Sequence, residues 1–165
     1  MSYSLFISDL HLDPARPEHL DGLKKLLAQH AGKADALYVL GDLFEAWIGD
    51  DDDTPFNLEA IAAFRQFSDS GSKLYFMHGN RDFMLGNDFA AACGGTLLGE
   101  GTVVDLYGTA AILMHGDSLC TLDTAYQQFR TMARDPQWQQ GMLAKPLEER
   151  RMIAQGMRMQ SQGNN

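Results

Sequence analysis

The 165-residue sequence holds only two cysteines, Cys93 and Cys120, too few for a disulfide framework, so a reducing cytoplasm is the expected compartment. It has no apolar run approaching the ~18–20 residues that cross a bilayer, which leaves peripheral membrane contact only. Neither a basic, apolar leader nor a lipidation motif opens it. Positive charge is scarce. Thirteen Lys and Arg face 22 Asp and Glu, a net charge of −9, and this argues against a protein built to grip nucleic acid. Internal repeats and low-complexity tracts are also missing. What is present is 45% apolar side chains spread along the chain, core material for one globular domain or part of one.

Charge divides unevenly. Up to Asp123 there are seven basic and 19 acidic residues, a balance of −12; from Thr124 there are six basic and three acidic, a balance of +3. A change of sign hints at different partners for the two parts, a solvated basic helix face being the plainer alternative.

Tyr3 to Ile7, Ala36 to Leu40 and Lys73 to Met77 read as buried strands that close on Ser8-Asp9, Gly41-Asp42 and His78-Gly79-Asn80. Thr102 to Tyr107 and Thr109 to Met114, joined at Gly108, read as a hairpin closing on His115-Gly116-Asp117. Helical spacing runs from Pro17 to Ala31, through apolar positions 56, 60, 63, 64 and 67 behind Thr54-Pro55, and from Asp82 to Cys93. From Leu122 the strand signal ends, and Leu122 to Arg134 and Leu147 to Met159 look helical, separated by Asp135-Pro136 and Lys145-Pro146. Strand, ligand-bearing turn, then helix is the grammar of an α/β domain with its chemistry at the carboxyl ends of strands.

Singly, each turn residue is an ordinary cap or hydrogen-bonded side chain. Together they converge, because parallel strands present their carboxyl ends along one sheet edge. Asp9 and His11 alternate on what reads as an extended turn, so both can reach one ion. Glycine before Asp42 and Asn80 lets the backbone approach closely. Carboxylate, imidazole and carboxamide donors without thiolate suit Mn²⁺, Fe²⁺, Zn²⁺ or Mg²⁺. Two such ions, bridged by Asp42, would favour phosphoester or pyrophosphate hydrolysis.

Asp9-Leu10-His11, Gly41-Asp42, Gly79-Asn80-Arg81-Asp82 and His115-Gly116-Asp117 resemble, in order and spacing, the calcineurin-like metallophosphoesterases. The stretches Gly41 to Asp51, His78 to Phe83 and His115 to Cys120 are similar to one branch of that family, which cleaves UDP-2,3-diacylglucosamine in bacterial lipid A synthesis. The resemblance implies an α/β fold, a metallophosphoesterase-type β-sandwich flanked by helices with a helical cap insert: residues 1–121 as core and 122–165 as cap. It implies two divalent ions, Mn²⁺ first among them, with Asp9 and His11 on one, Asn80 and His115 on the other, and Asp42 between. Arg81 stands where most of the family has His. It cannot donate a proton near neutral pH, but its planar fork can grip phosphate oxygens. Asp42, Asn80, Arg81 and His115 are thus the implied catalytic set. Asn80, Arg81, Asp123, Ser161 and Asn165 are the implied substrate contacts. The implied setting is the cytoplasmic face of the inner membrane, with no nucleic-acid partner.

The family's closing Gly-His-x-His motif has no counterpart here, since the histidines are His11, His19, His30, His78 and His115. The expectation is therefore an N-terminal two-thirds of such an enzyme, lacking the C-terminal strands and impaired in metal binding and turnover. Its rivals are a non-catalytic binding module and a phosphoesterase with another nucleotide substrate. Elsewhere, Asp50 to Asp53 lacks EF-hand spacing and reads as a solvated loop, and Trp47 and Ile48 read as core. Cys120 lacks a companion base, and His19 and His30 read as surface or packing residues. Met132, Met142, Met152, Met157 and Met159, with six basic residues nearby, read as a plastic amphipathic cap suited to lipid.

Overall fold

Side-chain alternation along short strands sets the architecture. The computed structural model describes residues 2–163, with side chains through Met159. Strands β1 (Ser4–Ile7), β2 (Ala36–Leu40), β3 (Lys73–Met77) and β4 (Thr96–Leu97) form one sheet in the order β1-β2-β3-β4, every pairing parallel. Helices α1 (Pro17–His30), α2 (Pro55–Asp69) and α3 (Asn87–Cys93) link them. Leu37, Val39, Leu74 and Phe76 pack with Leu20, Leu23 and Leu27 of α1, Phe64 and Phe67 of α2, and Phe89 of α3. Burying each such side chain contributes about 1.5–3 kcal/mol, so this layer dominates stability. The alternate residues Ala36, Tyr38 and Met77 meet Val104 and Leu113 of a hairpin, β5 (Thr102–Leu106) and β6 (Thr109–Leu113), on the other face. The result is α/β: two sheets face to face, with helices on the outer side of the parallel one. Tyr107 (φ 52°) and Gly108 (φ 95°) supply the left-handed pair that a two-residue hairpin turn needs.

Four expectations need correction. β1 is only half-buried because it is the sheet edge. The third helix starts at Asn87, not Asp82, because the Asp82 carboxylate is engaged by backbone N–H groups of other turns and Asp50 caps the helix from outside, accepting from Gly86 N at 3.0 Å and Phe89 N at 2.9 Å. β4 is an additional strand, two residues long. A further helix, α5 (Pro136–Leu143), lies between α4 (Thr124–Ala133) and α6 (Leu147–Gly163). Asp135-Pro136, taken as a break, is that helix's start: Asp135 accepts from Gln137 N, and Pro sits where no donor is lost.

The acidic run is a loop with Asp51 and Asp53 exposed, as expected, but three of its four carboxylates hold partners. Asp50 also accepts from Trp47 Nε1 at 3.0 Å, while Asp51 receives the Arg150 fork at 2.7 and 2.8 Å and Asp52 takes Arg151 at 3.0 Å. Arg150 is buried and donates further to the Ile48 and Lys145 carbonyls, both at 2.8 Å. Trp47 and Ile48 are core, as expected, Trp47 lying against Phe44 and Phe89. Met142 belongs to that core and not to an exposed surface; Met132, Met152 and Met159 are exposed. Among the described residues no helix is long and apolar enough to cross a membrane.

Arg150→Ala removes four charge-assisted bonds and strands two carbonyls, so it should cost about 2–4 kcal/mol. Urea unfolding followed by tryptophan fluorescence measures this, and Asp51→Asn, which leaves the carbonyl contacts in place, should cost less.

Candidate functional site

Parallel register brings the ends of β1, β2 and β3 to one edge, and the turns beyond them stay paired. Asp9 N donates to Gly41 O at 3.0 Å, His11 N to Asp42 O at 3.0 Å and Leu12 N to Leu43 O at 2.8 Å. Asp9 (φ 58°), His11 (φ 49°) and Asp42 (φ 52°) are left-handed, so the Asp9–His11 turn is bent and not extended as its sequence suggests. Among the described residues, three of the four non-glycine residues with positive φ are thus proposed ligands. Such strain costs about 1–3 kcal/mol per residue and persists where surrounding bonds over-determine it.

Asp42 is the buried centre. Its Oδ2 lies 3.4 Å from His115 Nε2 and 3.8 Å from His11 Nε2, which is also 3.8 Å from Asp9 Oδ1. Ligand atoms of Asp9, Asp42 and His115 all fall within 4.8 Å of one another. The Asn80 side-chain amide faces both Asp42 oxygens, at 2.8 and 2.6 Å: with its oxygen turned that way it would share a cation with Asp42, and with its nitrogen turned that way it would donate to the carboxylate. Donors about 2.0–2.2 Å from an ion stand some 3–3.5 Å from one another, so this O/N cluster fits a hard or borderline divalent metal. His115 donates from Nδ1 to Leu40 O at 2.8 Å, which would fix the tautomer that leaves Nε2 facing Asp42. Gly41 and Gly79 are required: a Cβ at Gly41 would sit 2.5 Å from His115 Nδ1, and one at Gly79 would collide with Asp42 Oδ1.

Beneath these turns lies Asp82, fully buried. It accepts from Asp42 N at 3.2 Å, Leu43 N at 2.7 Å, Phe44 N at 3.3 Å and Gly79 N at 2.9 Å, tying the Asp42 turn to the Asn80 turn. Burial, with the Asp42 charge beside it, pushes its carboxyl above the usual range against those N–H bonds. Burial would likewise raise Asp42, but His115, the Arg81 N–H and His11 hold it below its ordinary value. The Asp42 carboxylate beside it drives His115 the other way, up to about 9.

Arg81 is bound through its backbone, donating to Asp42 Oδ1 at 2.9 Å, and its guanidinium lies 3.9 Å from Glu45. Asp123 is exposed and caps α4 through Tyr126 N at 3.0 Å; no hydrogen bond or ion pair joins it to the cluster among the described residues. Asn165 lies outside the described residues, as does the side chain of Ser161. Glu45 and Asp82 lie within the motif stretches, but residue type and spacing alone assign them no role. Asp117, another motif residue, accepts from Tyr126 Oη at 2.6 Å and Arg130 Nε at 3.0 Å, which anchors α4.

An edge of strand-end carboxylates, an amide and imidazoles around a buried aspartate defines a metallophosphoesterase-type site, and residues 4–150 match the sequence model of the calcineurin-like phosphoesterases. The chain belongs to that family. Within it, the chain is 50% identical over 98% of its length to a UDP-2,3-diacylglucosamine hydrolase from Cellvibrio japonicus, covering 68% of that protein. It is 52% identical over the same share of its length to hydrolases of that name from Chromohalobacter salexigens and Escherichia coli O157:H7, covering 66% and 68% of them. It therefore spans about two-thirds of the length of these relatives.

In the metal-free chain, the His115–Asp42 contribution to stability should be complete below about pH 6.5, the ring's ordinary value, and lost as pH rises through about 9. The stability gap between wild type and His115→Asn in denaturant titrations should close over that window. Asp82→Asn should cost about 2–4 kcal/mol in the same titrations, because an amide cannot accept at both ends.

Proposed function

We propose that the chain acts on UDP-2,3-diacylglucosamine, hydrolysing its pyrophosphate to UMP and 2,3-diacylglucosamine 1-phosphate. The observation that carries this reading is the gathering of Asp9, His11, Asp42, Asn80 and His115 at one sheet edge, in a chain half-identical to hydrolases named for that substrate. Residues 1–121 would form the catalytic body and 122–165 the cap.

Asp9 and His11 would hold one divalent ion, Asn80 and His115 a second, and Asp42 both, with Mn²⁺ the first candidate. Bound there, such ions supply Lewis-acid charge and lower the pKa of water. The water oxygen forms a bond to one phosphorus as the bridging P–O bond breaks, and the leaving phosphate carries the electron pair away. Arg81 grips phosphate oxygens and balances the charge that builds on them; with a guanidinium it acts as an electrostatic clamp and not as an acid. The Asp42 tie to the Arg81 backbone sets that clamp beside the ions' ligands. Asn80 would serve both metal and substrate, with Asp123, Ser161 and Asn165 toward the acylated sugar. Five protein donors for two ions leave several positions to water, so Mn²⁺ affinity should be modest.

Mn²⁺-dependent release of UMP from UDP-2,3-diacylglucosamine, assayed up to saturating metal, tests the reading. Asp42→Asn should lower it at least ~10³-fold and Arg81→Lys about 10- to 100-fold. Equal turnover of a nucleotide pyrophosphate without acyl chains would overturn the substrate assignment.

The cap would also rest on the inner-membrane surface, since Leu122, Leu143, Met152 and Met159 are exposed. Sedimentation with anionic phospholipid vesicles should carry the chain down, and Met152→Glu with Met159→Glu should release it; equal sedimentation of both would reject this placement.

A further inference from the structure

His11 is the more exposed of the two clustered imidazoles, yet among the described residues its ring has only one close side-chain hydrogen bond: Nδ1 lies 2.9 Å from Glu45 Oε2. That bond is not a chance meeting of flexible groups. Glu45 N donates to Leu12 O at 3.0 Å, and Leu12 pairs with Phe44 in a parallel bridge, so the backbones of both side chains are locked together. The other oxygen, Oε1, faces two cations: Arg158 of α6 at 3.6 Å and Arg81 at 3.9 Å. Arg158 reaches Asp13 as well, at 3.8 Å. One carboxylate thus touches a proposed metal ligand, the proposed phosphate clamp and the last charged residue of the cap.

We propose that Glu45 is the positioning residue of this site: Oε2 holds His11 as the Nδ1–H tautomer with Nε2 aimed at Asp9 and Asp42, while Oε1 tethers Arg81 and the cap helix to the same ligand. It acts through His11 and Arg81 and does not itself meet the reacting atoms. The proposal rests on His11 being a metal ligand. Physically, a neutral imidazole free in water carries its proton on Nε2 more often than on Nδ1, which would block the metal-facing nitrogen; a carboxylate acceptor on Nδ1 reverses that preference. The acceptor also fixes the ring against rotation, so the ligand needs no reordering when an ion arrives.

The two oxygens can be separated by substitution. Glu45→Gln keeps a carbonyl that can accept from Nδ1–H but loses the charge that draws the arginines; Glu45→Ala loses both. Long-range ¹H–¹⁵N spectra of the metal-free 165-residue chain at mildly alkaline pH read the tautomer directly. The wild type and Glu45→Gln should show His11 protonated at Nδ1, and Glu45→Ala should move it to Nε2. Titration with Mn²⁺ alone should show affinity falling by about 10- to 100-fold in Glu45→Ala, with a smaller fall in Glu45→Gln. An Nε2-protonated His11 in the wild type overturns the proposal, as does a Glu45→Ala chain that keeps both the tautomer and the Mn²⁺ affinity. If Glu45→Ala does not fold, Glu45→Gln decides: loss of the Nδ1–H signature there refutes an acceptor role that the amide should preserve. No substrate enters these measurements, so failure of the substrate assignment leaves the tautomer result standing, and a tautomer that ignores Glu45 leaves UMP release untouched.

Discussion

The site depends on one buried carboxylate. Parallel strand pairing brings the β2 and β3 ends to the same edge, but ladder bonds stop where the strands stop, and the proposed ligands lie beyond. Asp82 supplies the missing connection, collecting N–H groups from Asp42, Leu43, Phe44 and Gly79 on a side chain that is fully buried. Charge-assisted bonds in such surroundings are short and strong, and the donors would be costly to leave unmet. This lets Asp42 hold a left-handed backbone and lets Gly79 come so near the Asp42 carboxylate that no side chain fits between them. Remove the anion, and both turns lose the reason for their shapes.

The uneven charge of the chain acquires a structural meaning from helices α4 to α6. A segment of +3 following one of −12 invites the idea of separate partners, yet the basic residues of α4 and α6 largely meet acidic residues of the preceding chain. Arg150 and Arg151 take Asp51 and Asp52, Arg158 takes Asp13 and Glu45, and Arg130 takes Asp117 and Glu100. Exposed pairs of this kind contribute little each. Arg150 is different, because its guanidinium is buried and every donor direction it uses ends on a carboxylate or a carbonyl. Apolar packing of Trp138, Met142 and Ile153 on the main core works in the same direction. The charge pattern therefore orients these helices, and the apolar contacts supply most of the free energy that keeps them there.

Much of this was legible in the sequence for a simple reason. Strands buried on both faces are short apolar runs, and the proposed ligands sit at their ends, so β2, β3 and the positions of Asp42 and Asn80 follow from pattern alone. His115 was equally readable from its hairpin. What escaped depends on partners far along the chain. Thr96 and Leu97 are a strand only because β3 lies beside them. Asp82 looks like the first residue of a helix until its carboxylate is seen to serve the turn 40 residues earlier. Asp50 to Asp53 reads as solvated because its arginines lie about 100 positions away. Local periodicity cannot report such contacts; only spacing between oppositely charged residues hints at them.

The protonation pattern of the cluster bears on what it is built to hold. Asp9, Asp42 and Glu45 bring negative charge to a small volume, and without an ion the compensation comes from within: the imidazolium of His115, which Asp42 favours, and the guanidinium groups of Arg81 and Arg158. A purely structural cluster would be expected to finish this neutralisation with direct, close pairs. Here the separations of 3.4 to 3.8 Å around Asp42 Oδ2 are too long for good hydrogen bonds and suit donors that share a cation. The backbone strain at Asp9, His11 and Asp42 points the same way, since it aims three side chains inward at a cost that packing alone gives no reason to bear. A dication entering this space would displace the His115 proton, relieve the carboxylate repulsion and meet ligands already held in place by Asp82 and the paired turns, so little of its binding energy would go into ordering the protein.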